Sequence, residues 1–332
     1  MTVAFYSCHT YEQPFLDAAN HSHNHQLTFF SQPLTPDTVA LAAGQQAICV
    51  FVNDPLTRPI LQALVGLRIR LIALRCAGYN QVDIPAAHEL GIRILRVPAY
   101  SPHAVAEHAV ALLLALNRKT YLAYQRTKEN NFTLDGLMGF DLCGKRVGVV
   151  GTGKIGAAFA RIMLGFGCHV LAYDNIHSAV LQEIGVTYLP LNEVLANADV
   201  LSLHCPLLPD THHLINASAL AAMKPGAYLI NTSRGALLDT PAVLRALETG
   251  QLGALGVDVY EGEDDFFYAD WSDKPLPDAN LNALTHLPNV LVTAHQGFFT
   301  REAMEQIARV TINNLTCLEQ HQIPINEATV VV

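Results

Sequence analysis

Val147-Gly-Val-Val150-Gly151-Thr-Gly153-Lys-Ile-Gly156 is the stretch that decides how this chain folds. An apolar strand runs straight into a turn with three glycines, and the turn opens onto the helical pattern Ile155–Gly165. Glycines at these positions suit a tight turn, a backbone that approaches a pyrophosphate, and a helix packed close against its strand. The phosphates would rest on the helix N-terminus, where backbone N–H groups lack partners. Glycine-rich turns also arise for purely conformational reasons, so the motif needs a second half. The next strand, His169–Tyr173, supplies it by leading into Asp174, 18 residues beyond Gly156, where a carboxylate accepts from the hydroxyls of an adenine ribose. Asn175 follows Asp174, without the adjacent Arg that a 2′-phosphate would want, so the reading is NAD rather than NADP.

Downstream the alternation continues, with a helix at Leu191–Asn197 and strands at Val200–His204, Tyr228–Asn231, Ala254–Val259 and Val290–Thr293. Upstream, Val3–Ser7, Gln26–Phe30, Ala47–Val52, Leu71–Arg75 and Ile92–Val97 read as strands, with helical patterns at Pro36–Ala43, Arg58–Leu64 and Asp83–Leu90. Strands alternating with helices imply parallel sheets. Ser101 caps a helix that takes Pro102 at its first position and runs to about Arg126. Its stretch Ala104–Leu116 is apolar almost all round, which predicts burial on every side, inside the domain or against another subunit. The last helix, Arg301–Glu319, comes too late for the sheet order and is expected to return to the first unit. The expected fold is α/β with two doubly wound parallel-sheet domains. One is a discontinuous, flavodoxin-like substrate (catalytic) domain of residues 1–100 and 300–332, and the other is a Rossmann NAD-binding domain of residues 101–299.

Composition bounds the function. A chain of 332 residues suits two domains, and no run of about 18 apolar residues is long enough to cross a membrane. The start, Met1-Thr-Val-Ala-Phe-Tyr-Ser7, lacks a basic region and a long apolar core, so a cytoplasmic protein is expected. A formal charge of −9 argues against a nucleic-acid surface and requires a local cation for any small anionic substrate. The seven cysteines are scattered and never spaced as CxxC, which fits reduced thiols. His21-Ser-His23-Asn-His25 alone resembles a metal tract, but it has no Cys or carboxylate partner nearby and reads as a solvated loop entering a strand, so no metal is expected.

Three segments at the ends of later strands carry polar groups where an open parallel sheet binds ligands: Asn231-Thr-Ser-Arg234-Gly, Gly256-Val-Asp258-Val-Tyr-Glu-Gly-Glu263 and Val292-Thr-Ala-His295-Gln-Gly-Phe298. Reduction of a 2-keto acid needs a cation for the carboxylate, a proton donor for the carbonyl oxygen, and a carboxylate that keeps that donor protonated and oriented. Arg, His and Glu answer to these three needs.

With the glycine motif, these segments resemble the D-2-hydroxyacid dehydrogenase family over essentially the whole chain. Leu74-Arg-Cys-Ala-Gly-Tyr-Asn80, Val97-Pro-Ala-Tyr100, Ala106-Glu-His108, Ser202-Leu-His-Cys-Pro206 and Asn231-Thr-Ser-Arg-Gly-Ala236 narrow the resemblance to its NAD-dependent fermentative D-lactate dehydrogenases from Gram-negative bacteria. The resemblance implies that Arg234 binds the substrate carboxylate and polarises the keto group, that His295 is the acid/base, and that Glu263 pairs with His295. It implies that Gly78 and Tyr79 offer backbone N–H groups to the carboxylate, while Tyr100 and Phe298 shape the methyl side of the pocket. For the cofactor it points to Gly151, Gly153, Lys154, Ile155, Gly156, Asp174, Cys205, Pro206, Thr211 and Thr232, Ser233 and Arg234, with Asp258 at the nicotinamide amide. Ala294 stands where many members carry Pro, a change expected to loosen the strand end and leave the chemistry in place. The implied reaction is reduction of pyruvate by NADH in a homodimer or homotetramer. Reduction of another 2-keto acid (glyoxylate, hydroxypyruvate, phenylpyruvate) and an NAD-sensing regulatory role remain the alternatives.

Overall fold

The computed structural model describes residues 1–322 and 329–332. The chain divides into two compact units, Met1–Ser101 with Phe299–Val332, and Pro102–Phe298.

In the first unit, β1 (Thr2–Phe5), β2 (Gln26–Phe29), β3 (Ala47–Val50), β4 (Leu71–Leu74) and β5 (Arg93–Arg96) form one sheet in the order β2-β1-β3-β4-β5. Every pairing is parallel, and the order is that of a flavodoxin-like doubly wound sheet. The central strands are apolar on both faces because helices cover both. Helix Arg301–Glu319 packs on Gln13–Asn20, β4 and β5. The strand ends meet over buried polar groups. Arg75 donates to Glu12 (2.7 Å) and to the Ser7 carbonyl (2.8 Å), while Asp54 accepts from Ser7 Oγ, Leu34 N and Phe51 N.

In the second unit, β6 (Arg146–Val150), β7 (His169–Tyr173), β8 (Thr187–Tyr188), β9 (Val200–Leu203), β10 (Ala227–Asn231), β11 (Leu252–Val257) and β12 (Val290–Val292) pair in the order β12-β11-β10-β9-β6-β7-β8. All pairings are parallel. The order reverses between β6 and β9, which makes their carboxyl ends the switch point where a doubly wound sheet opens a crevice. The expected fold class is therefore the observed one.

Local differences have physical causes. Pro36–Ala43 forms only a short 3-10 turn, Val39–Ala42, because Thr35 and Thr38 bond each other's backbone N–H and compete with helical pairing. The helix from Pro102 stops at Arg118, Lys119 adopts φ +50°, and a second helix covers Thr120–Lys128. Asn117 fixes that stop by exchanging side-chain hydrogen bonds with the backbone of Phe140 (2.7 and 2.8 Å). The first helix packs against β10, β11 and helix Lys154–Gly165, but its burial within the chain is not all round: Glu107 and Ala111 are exposed, and Leu114 and Ala115 are half-buried. Several predicted strands end one or two residues early, so that Phe51, Arg75, Val97 and His204 lie in loops at the carboxyl edges. Neither is the histidine tract wholly solvated: His23 and His25 both contact Thr316 Oγ1, at 2.7 and 3.0 Å, and His25 is buried.

Candidate active site

The turn after β6 has the form a dinucleotide needs. Gly151 takes φ +92°, a conformation that only glycine adopts without strain. A methyl on Gly156 would collide with the Gly151 carbonyl, so the helix packs against its turn only with glycine there. Gly153 precedes helix Lys154–Gly165, and a Cβ built on it meets nothing within 4 Å. That open space lies beside the first N–H groups of the helix, those of Lys154, Ile155 and Gly156.

Asp174 closes this site. Its Oδ2 accepts from Thr152 N (2.6 Å) and Thr152 Oγ1 (3.1 Å), and its Oδ1 accepts from Ile176 N (3.0 Å). Burial alone would raise its pKa, but these donors more than offset burial and hold it below the usual carboxylate range. Across the switch point, His204-Cys205 lies against Gly151. Ser233 Oγ donates to the Cys205 carbonyl (2.6 Å), and Thr211 Oγ1 to the Pro206 carbonyl (2.7 Å). Burial pushes the Cys205 thiol up to about 11, so it acts as a small packed residue and not as a nucleophile. Thr232 Oγ1 and His204 Nδ1 are buried with no hydrogen-bond partner. An open glycine cradle, a helix start, a held ionised carboxylate and an unpartnered hydroxyl fit the phosphates, ribose and amide of a dinucleotide.

The other polar segments converge through backbone contacts. Asn231, at the end of β10, donates from Nδ2 to the Arg234 carbonyl (2.8 Å) and accepts from Ser233 N (3.0 Å), which fixes the Arg234 turn. Gly235 packs so closely on the Tyr260–Glu261 backbone that no side chain would fit. Tyr260 N donates to Glu263 Oε2 at 2.6 Å, and Glu263 Oε1 lies 2.5 Å from His295 Nδ1. Both side chains of that pair are largely shielded, at 17% and 18% exposure, which strengthens the contact beyond that of a surface pair.

His295 has φ +50°, uncommon for a residue with a side chain. Its N–H donates to the Asp258 carbonyl (2.7 Å), and the Tyr268 hydroxyl donates to the His295 carbonyl (3.2 Å). Thr293 N likewise donates to Val257 O, so backbone hydrogen bonds flank Ala294 on both sides. The Asp258 carboxylate accepts from Thr293 Oγ1 (2.6 Å), Gln296 N (2.9 Å) and Gly297 N (2.7 Å), with His108 Nε2 at 3.2 Å. Three of these contacts fall on Oδ1 and one, from Gly297 N, on Oδ2, so the carboxylate ties down the histidine segment. Sequence reading gave no role to His108, Thr293 or Tyr268. Phe298 is half-buried at the end of this segment.

Gly78, Tyr79 and Tyr100 belong to the first unit. There Arg96 donates to the Ala77 carbonyl (2.6 Å) and lies 4.8 Å from the Tyr79 ring centre, which fixes the loop. Tyr100 is partly exposed.

Comparison with known proteins agrees with this geometry. Residues 110–297 match the NAD-binding domain of the D-isomer specific 2-hydroxyacid dehydrogenases. The D-lactate dehydrogenase of Escherichia coli is 47% identical over 327 residues, covering 98% of this chain and 99% of that one. The solved pyruvate reductase of Chlamydomonas reinhardtii superposes with a TM-score of 0.93 at 42% identity, over 98% of both chains. The D-lactate dehydrogenase of Aquifex aeolicus, solved with NAD and lactic acid, gives 0.88 at 32% identity over 99% of both. Glycine turn, switch-point order and full-length likeness lead to one assignment: the chain belongs to the NAD-dependent D-isomer specific 2-hydroxyacid dehydrogenase family.

Proposed function

We propose that this enzyme is a D-lactate dehydrogenase that reduces pyruvate to D-lactate. The 2.5 Å contact between His295 Nδ1 and Glu263 Oε1 carries the reading, because it leaves the other imidazole nitrogen to exchange a proton with substrate. The full-length likeness to enzymes named for D-lactate and pyruvate supports the choice of substrate.

Bound NADH supplies the hydride that reduces C2. Gly151, Gly153, Lys154, Ile155 and Gly156 hold the pyrophosphate and Asp174 the ribose, while Cys205, Pro206, Thr211, Thr232 and Ser233 line the crevice. Arg234 clamps the substrate carboxylate and polarises the keto oxygen, since a guanidinium fork matches a carboxylate and is always charged. His295 gives its proton to the keto oxygen as the hydroxyl forms, and Glu263 steadies the protonated ring. In the reverse direction His295 takes the proton from lactate. Gly78, Tyr79, Tyr100 and Phe298 are proposed substrate contacts on the strength of the resemblance alone.

A homodimer or homotetramer is also proposed, supported by exposed Tyr124, Phe132, Leu134 and Met138 clustered in one stretch of chain. Among the described residues no helix is long and apolar enough to cross a membrane. Seven unpaired cysteines support a reducing compartment, the cytoplasm. The deciding experiment is NADH consumption on a panel of keto acids, followed by assignment of the lactate enantiomer. Preference for phenylpyruvate over pyruvate in kcat/KM, or an L-lactate product, would refute the assignment.

A further inference from the structure

The loop after β9 and the loop after β11 bring a second cluster of ligating side chains together, apart from Glu263 and His295. His213 Nε2 lies 2.9 Å from Glu261 Oε2, and His212 Nε2 lies 3.6 Å from Glu261 Oε1. Consecutive side chains in extended backbone point to opposite sides. Here His213 takes φ +50°, and the two rings stack on the same side with centroids 3.9 Å apart and planes 25° apart. Both Nε2 atoms then face one carboxylate, and all three ligand atoms lie within 4.8 Å of one another. In a tetrahedral site with bonds of about 2.0 Å, neighbouring ligand atoms are about 3.3 Å apart, and each imidazole Nε2 lies near that spacing from its own oxygen of the Glu261 carboxylate. Among the described residues this is the one group of three or more such side chains with ligating spacing.

A hydrogen bond between His213 Nε2 and Glu261 Oε2 accounts for one imidazole, but not for His212, whose Nε2 stands 3.6 Å from Oε1, beyond hydrogen-bond reach. Two imidazolium rings stacked at 3.9 Å repel each other, and one carboxylate compensates only one of them. Two neutral imidazoles and a carboxylate, by contrast, together suit a divalent ion of borderline softness, with water completing its shell. We propose that His212, His213 and Glu261 form a binding site for a divalent transition-metal ion of the Zn²⁺ class. The ion would join the cofactor-side loop, which Thr211 ties to Pro206, to the Tyr260–Glu263 segment, whose Glu263 holds His295. Its seat is thus a clamp between two loops of the second unit, separate from the acid/base pair.

Titration of the metal-free full-length protein with Zn²⁺, followed by calorimetry and thermal unfolding, tests the site. We expect one saturable ion per chain and a Tm that rises with occupancy, since an ion that binds only the folded state stabilises it. The double variant His212→Gln, His213→Asn should lose that event, Asn being chosen because it tolerates the left-handed backbone. Glu261→Gln, at an exposed position, should weaken Zn²⁺ at least tenfold, because losing even an indirect supporting group costs 10- to 100-fold. Co²⁺ in place of Zn²⁺ should show visible bands without thiolate charge transfer, which separates this site from the exposed thiol of Cys143. Equal stoichiometry and affinity within threefold in wild type and Glu261→Gln, or a thiolate signature on the tight event, would overturn the proposal.

Discussion

Replacing Asp258 by Asn removes one charge and almost no volume, at a residue only 1% exposed. One amide oxygen can still accept from Thr293 and Gln296, but the NH₂ group then faces the N–H of Gly297, which the carboxylate contacts at 2.7 Å. Losing that charge-assisted bond costs about 1.5–3 kcal/mol, and leaving a buried donor unsatisfied costs about 1–3 kcal/mol more. Together they predict destabilisation of about 2.5–6 kcal/mol, read from urea unfolding. Freed from its anchor, the segment carrying His295 shifts, and misplacement by about 1 Å is worth a loss of roughly 100-fold in kcat. The pH dependence gives a second readout. Burial raises the Asp258 pKa, but hydrogen bonds from His108, Thr293 and the Gln296 backbone outweigh it, so the folded value lies below the unfolded one. The contribution is therefore fully present above the unfolded carboxylate pKa of about 3.9 and disappears as pH falls through the lower folded value. The stability gap between wild type and variant should stay level from about pH 5 to 8 and narrow in stronger acid. A gap under about 1 kcal/mol with kcat within about twofold would refute the anchoring role.

The glycine turn should separate fold from binding: Gly153→Ala places its methyl in open space, leaving Tm unchanged and raising the KM for NADH, whereas Gly156→Ala meets the Gly151 carbonyl and should lower Tm. Equal Tm values for the two variants would contradict this. Arg234→Lys should lower kcat/KM for pyruvate by about 100-fold or more, since an ammonium cannot reproduce the guanidinium fork, and near-normal steady-state rates would remove Arg234 from the site. Asp174→Ala should raise the efficiency of NADPH relative to NADH. In wild type the depressed pKa of Asp174 should keep NADH affinity level down through about pH 5 and weaken it only in stronger acid, as fluorescence titration would show.

Legibility in the sequence tracked the range of the interactions. The glycine turn and Asp174 lie on consecutive elements, so strand, turn and spacing announced them together. Short helices such as Thr240–Glu248 and Ala279–His286, which Asp239 and Asp278 cap in the structure, went unread because they are too brief to show a clear apolar period. The His108–Thr293 contact joins residues 185 apart, and no local pattern encodes it. His25 and Thr316 are 291 apart, which is why the histidine tract read as solvated although it packs on the last helix of its unit. Arg234, Glu263 and His295 could be named because their chemistry matches one reaction, while their convergence required the fold.

That convergence has a common cause in how the strands end. β10, β11 and β12 run parallel, so the Arg234, Asp258 and His295 segments leave the sheet on one edge. Backbone bonding continues past the last strand residues with a slip in register, His295 N donating to the Asp258 carbonyl only one residue beyond Val257, whose carbonyl takes Thr293 N. The ladder carries His295 into a left-handed conformation that costs of order 1–3 kcal/mol and persists only where the surroundings over-determine it. Here they do: the Asp258 backbone and carboxylate grip both sides of the histidine, Tyr268 holds its carbonyl and Glu263 holds its ring. The imidazole is thus set by the sheet edge and by its own unit's side chains before any ligand arrives, which is the preorganisation that proton transfer to a keto oxygen requires.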